Sequence, residues 1–130
     1  MAVENLSQFT LALTRAAERL PAEGVVKLQK TLVFEALSRL VQRTPVLTGR
    51  ARSNWQVTIG QPSESQVGID TATGTVTRGT AALAQLPPYQ IVWISNNVPY
   101  IQKLEMGSSK QAPAGMVAVT VAELQQVLPS

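Results

Sequence analysis

The sequence predicts an α+β domain in which a long central helix packs on a small, mainly antiparallel sheet, with additional helices toward the N and C termini. Three observations lead there. Apolar residues recur at steps of three and four up to Thr44 and again after Pro113. Three short runs between Trp55 and Asn96 switch to strand character. A chain of 130 residues without an internal repeat has room for one modest core, so 1–130 reads as one domain.

An N-terminal helix is expected within residues 1–20. There Leu6, Phe9, Leu13, Ala16, Ala17 and Leu20 form one stripe, and Pro21 ends it. The central helix follows over residues 22–44, with Pro21 tolerable at its first turn and Thr44, before Pro45, resisting the helical conformation. Its apolar surface is wide. Val26, Val33, Ala36, Leu37, Leu40 and Val41 make one face, and Val25, Leu28 and Leu32 extend it past the roughly 100° stripe of a surface helix. One partner does not cover that much, so a sheet is expected on one side and the first helix or a neighbouring subunit on the other.

The sheet region is expected over 52–105. Trp55, Val57 and Ile59 alternate with Asn54, Gln56 and Thr58 until Gly60–Pro62, and "QVGID" reads as a second short strand. Residues 71–88, rich in Thr, Gly and Ala, read as a long loop with one helical turn at "AALAQL". "YQIVWISN" is the best central strand. It is followed by a turn at Asn96–Asn97, a short helical segment "PYIQKLEMG" closed by Gly107, the loop "SSKQAP", and a last helix over 113–127.

Composition excludes several chemistries. There is no Cys and no His, so within these residues disulfides and thiolate or imidazole metal sites cannot form. Glu64, Asp70, Glu105 and Glu123 stand singly, with no spacing that offers two carboxylates to one metal or one water. A hydrolase would have to use Ser109 and Lys110 of "SSK", adjacent loop residues poorly placed to hold a nucleophile on its base. No catalytic residue, cofactor or metal is therefore expected, and neither a signal peptide nor a transmembrane helix is visible.

Net charge is +3, with eight Lys/Arg against four Glu up to Trp55 and three against four acids beyond it. That mild asymmetry permits contact with nucleic acid. On the central helix, however, Lys27 and Lys30 lie more than about 100° from Arg39 and Arg43, which is no recognition stripe. The charged fraction of 15% is low, which suits a surface that meets other protein.

The stretch "TPVLTGRARSNW", Thr44 to Trp55, concentrates punctuation and charge. Pro45 stops the helix, Gly49 permits a reversal, and Arg50 and Arg52 stand at the mouth of the strand that buries Trp55. Arginine suits planar pairing with a carboxylate, and Glu105 is the natural candidate. The residues equally allow two solvated arginines on a loop.

Taken with "NNVPYIQKLEMGSSKQAPAGMV", this stretch resembles the neck or tail-completion proteins of tailed phages, also met as minor tail components of siphophages and prophages. The shared pattern is T-P-V-x-T-G-R-x-R-x-x-W followed by N-N-x-P-Y-x-x-x-L-E-x-G-x-S-x-Q-A-P-x-G-M-V. The family carries an aspartate where this chain has Leu47, which bears on the turn there. The resemblance implies a virion protein at the head–tail joint, assembled in the host cytoplasm as a ring, usually six-fold, without enzymatic activity. Its partners would be itself, the adjacent head–tail connector and tail-tube or tail-terminator proteins, and phage DNA passing through the channel without sequence recognition.

On that reading Arg50, Arg52 and Glu105 pin the strand–helix junction, while Trp55 and Tyr100 anchor the core. Asn96 and Asn97 form the turn. The loop with Gly107, Ser109, Lys110 and Pro113, together with the long loop after Asp70, meets neighbouring subunits. The alternative is a small DNA-binding or regulatory protein that uses its mildly basic N-terminal half.

Overall fold

Apolar spacing from Val25 to Val41 closes into a helix, α1, spanning Ala22–Arg43. Pro21 occupies its N-cap and gives its carbonyl to Val25 N at 3.0 Å, Glu23 lies in the positive first turn and Arg43 in the negative last turn. Thr44 leaves the helical conformation at ψ 125°, as its position before Pro45 requires. A computed structural model describes residues 20–106 and 115–127 of the chain. The helix expected over 1–20 lies outside them except for Leu20, as do Gly107, Ser109, Lys110 and Pro113.

Beyond α1 the order is a single turn α2 (Arg50–Ser53), strand β1 (Gln56–Ile59), helix α3 (Ala72–Ala81), strand β2 (Val92–Ser95), short α4 (Ile101–Glu105) and α5 (Met116–Val127). The strands pair antiparallel in register Gln56↔Ser95 to Ile59↔Val92 and form a two-stranded sheet. The architecture is α+β, a long helix against a small antiparallel sheet with further helices, as the sequence predicts.

Three expectations are corrected. The segment 71–88 is mostly not loop, because α3 occupies Ala72–Ala81. Its Thr and Gly residues are weak helix formers. The helix is held by the Thr71 cap, whose side chain accepts Gly74 N at 2.9 Å, and by burial of Thr75 and Gly79. Gly79 is there for close approach: a Cβ would overlap Leu37 Cδ2 and meet Val57 Cγ2 at 3.0 Å. "QVGID" forms no strand, since the buried Asn54 side chain takes up the backbone of Val67 in place of a neighbouring strand. The run containing Val92–Ser95 is not a central strand but one of two edges.

Leu37 is fully buried at the centre of the main core, where Val33, Leu40, Val41, Trp55, Val57, Leu83 and Met116 surround it. A smaller cluster of Leu32, Ala36 and Leu124 joins the other side of α1 to α5, and Ile94 packs on both. The wide apolar surface of α1 is thus covered chiefly by α3 and α5, with the sheet a lesser partner.

Candidate functional site

The span from Thr44 to Trp55 organises the region around it. Thr44, buried at the end of α1, donates from Oγ1 to Leu40 O at 2.6 Å and accepts the Trp55 indole N–H at 2.7 Å. Met116 Sδ lies 3.8 Å from the same hydroxyl, so α1, α5 and the start of β1 meet at one oxygen. Gly49 then takes the left-handed φ of 89° that reverses the chain. Thr48 Oγ1 accepts Arg50 N at 3.2 Å, so the turn closes without the aspartate that the resembling family carries at position 47. Leu47 itself is 92% exposed.

The next residues bind a neighbouring loop. Ser53 Oγ lies 2.6 Å from Gly49 O and accepts Asp70 N at 2.8 Å. Asn54, with no exposed surface, donates to Arg50 O at 2.8 Å and Val67 O at 3.1 Å and accepts Val67 N at 2.8 Å. Its amide therefore mimics a strand partner. Arg78, from α3, donates to Ser53 O at 2.6 Å and Trp55 O at 3.3 Å. Asn96 donates to Ala51 O at 2.9 Å, and Asn97 to Ser63 O and Ser65 O, both at 2.8 Å. These bonds fix residues 63–70 against the junction although that stretch has no regular structure.

The expected pairing of Arg50 and Arg52 with Glu105 does not form. Arg50 donates to Gln66 Oε1 at 2.6 Å and lies over the Tyr100 ring at 6.0 Å, while Arg52 donates to Asp70 O at 3.1 Å. Glu105 is buried and turns to α5, accepting Val117 N at 2.8 Å and Ala118 N at 3.3 Å. The first turn of α5 holds amide groups with no helical partner, and a carboxylate there satisfies them and the helix dipole together, worth on the order of 1 kcal/mol. Tyr100 is 37% exposed and anchors no core; Trp55, at 3%, does. The segment after Asp70, expected to meet neighbours as a loop, is the inward-packed α3.

A charged group that the sequence did not reveal lies on the far side of α1. Arg39 pairs with Glu35 and its Nε lies 3.6 Å from Glu123 Oε2, while Arg43 pairs with Glu123 and donates to Thr120 at 2.9 Å. Each of these side chains is about a third exposed, so the network orients α5 more than it stabilises it. Its only sequence signal is the i, i+4 spacing of Glu35, Arg39 and Arg43; the partner is remote along the chain.

Chemically, the hydroxyls and amides at the junction are committed to main-chain groups. Among the described residues no three His, Cys, Asp or Glu side chains gather into a metal-binding group, and no helix is long and apolar enough to cross a membrane. Leu47 and Ile69, exposed at 92% and 64%, stand on the turn before Gly49 and on the loop that Ser53 holds through the main chain of Asp70. Protein-family models, curated proteins and solved structures contain no match to the chain.

Proposed function

We propose that the chain is a structural protein of a tailed-phage particle, a ring subunit that completes the tail or joins it to the head by docking. The observation that carries this reading is Leu47. Leu47 stands almost wholly in water on the turn before Gly49, beside exposed Val46 and near Ile69, whose Cγ2 approaches Gly49, and this exposed apolar group supports the reading of a surface that docks on another protein. The two segments that resemble neck and tail-completion proteins, the first of which contains Leu47 as a departure from the pattern, support the same reading.

The partners on this reading are further copies of the chain, in a ring that by resemblance is six-fold, with the connector and the tail-tube or tail-terminator proteins beside it. DNA passes without being read. Five arginines, Arg39, Arg43, Arg50, Arg52 and Arg78, already bind oxygens of this chain, which leaves Lys27, Lys30 and Lys103 as the cations without a bonded partner among the described residues. That distribution favours docking over a nucleic-acid site.

Leu47→Lys tests the anchor. The protein is expected to fold with unchanged stability, since the side chain makes no core contact, yet to fail in complementing a phage or prophage that lacks the gene. Plaque titres at the wild-type level with Leu47→Lys would remove Leu47 as the docking anchor.

A further inference from the structure

Among the described residues no main-chain group pairs with the outer edge of β2, and from this we infer that two copies of the chain pair edge to edge through this strand as an antiparallel two-fold dimer. The inference goes beyond the head–tail reading and stands or falls without it.

The register and the bond from Gly60 N to Ile91 O, 2.7 Å, set which peptide groups face which way. Thr58↔Trp93 and Gln56↔Ser95 are the hydrogen-bonded pairs, so the N–H and C=O groups of Val92 and Ile94 point away from β1. Neither residue has a main-chain bond on that side among the described residues. Both are only partly buried.

The other edge is shielded. On β1 the outward carbonyl of Trp55 is taken by Arg78, and Val57 is buried beneath Gly79 of α3.

An unprotected edge strand is normally blunted by a charge, a proline or a bulge. Here the edge is short, four residues, but no charge, proline or bulge interrupts it. No charged residue occurs between Arg78 and Lys103; Tyr89 and Ile91, before the strand, and Trp93, within it, are exposed. Tyr89 takes a left-handed φ of 63°, a conformation costly for a bulky residue, as the chain turns from Pro87–Pro88 toward β2.

The occupant is a second copy for two reasons. Self-pairing of an uncharged strand sets no like charges opposite each other. The open groups also match under a two-fold axis at Trp93: each Val92 then faces the other copy's Ile94 and exchanges both main-chain bonds. The two Trp93 residues form a non-hydrogen-bonded pair at the axis, with Cα atoms about 4.5 Å apart, while each indole N–H stays on Gly60 O of its own β1 at 3.0 Å. The Val92 and Ile94 side chains cover each other on the inner face. The result is one continuous antiparallel sheet, β1-β2-β2-β1.

The test is sedimentation of the full chain over a concentration series, with two variants. Wild type is expected to approach twice the 14.0 kDa of one chain. Trp93→Lys, which places like charges at the axis, is expected to weaken association at least about tenfold. Because the chain has no cysteine, Trp93→Cys is expected to cross-link to itself under mild oxidation. Ser95→Cys, which would face Ile91 of the other copy, is not.

A wild type that stays monomeric at its highest attainable concentration would overturn the inference. So would a dimer unaffected by Trp93→Lys, or cross-linking equal at both cysteine positions. A closed ring whose mass Trp93→Lys leaves unchanged would overturn it too, while leaving the head–tail reading intact. If Trp93→Lys does not fold, by circular dichroism, the cysteine pair alone decides.

Discussion

Trp55→Ala is expected to lower the unfolding free energy by about 3–5 kcal/mol, the usual cost of emptying a buried aromatic site. The indole is 3% exposed within the main core, and its N–H is held by Thr44, itself 3% exposed at the end of α1. Alanine removes the packing and one of the links between α1 and β1. Trp55→Phe separates the two effects. It keeps most of the ring contacts and loses the bond to Thr44, for an expected cost of about 1 kcal/mol. Urea denaturation measures both. A loss below about 1 kcal/mol for the alanine variant would mean that Trp55 is not the core anchor described.

Gly79→Val should destabilise by about 3 kcal/mol, through overpacking rather than loss of contact. The approach of α3 to Leu37 and Val57 leaves no space for a Cβ, and a branched side chain forces α3 off α1. Helix propensity alone predicts the opposite sign, because glycine is the poorer helix former. Thr77→Ala, on the exposed side of the same helix, provides the control and should stabilise by a few tenths of a kcal/mol. If Gly79→Val raised the urea midpoint, the close packing of α3 on α1 would be wrong.

What was legible in the sequence is what local periodicity encodes. The spacing from Val25 to Val41 and the stop at Thr44–Pro45 define α1, alternation around Val57 marks β1, and the run "YQIVWISN" marks β2. Helix α3 was not legible, because Thr71–Ala81 has the composition of a loop and becomes helical through a cap and a tertiary fit centred on Gly79. The "QVGID" strand failed for a related reason: Asn54, far back in the chain, supplies the hydrogen bonds that a strand neighbour would have given.

At the candidate site, the reversal at Gly49 and the burial of Trp55 were readable, and the partners of the arginines were not. Glu105 could satisfy a guanidinium or the amides of a helix start, and composition does not choose between them. The fold places it at α5. Ser53 and Asn54, the residues that pin the loop to the junction, left only the faint signal of polar residues directly before an apolar strand. Leu47 was visible as a departure from the family pattern; its exposure required the structure.

The measurement that bears most directly on the proposed role is electron microscopy of lysates from the phage or prophage whose copy of this gene carries a nonsense codon. Filled heads beside separate or over-long tails are the expected result, because a missing ring subunit leaves both parts built and unjoined. Intact, infectious virions in the same lysate would contradict a role at the head–tail joint.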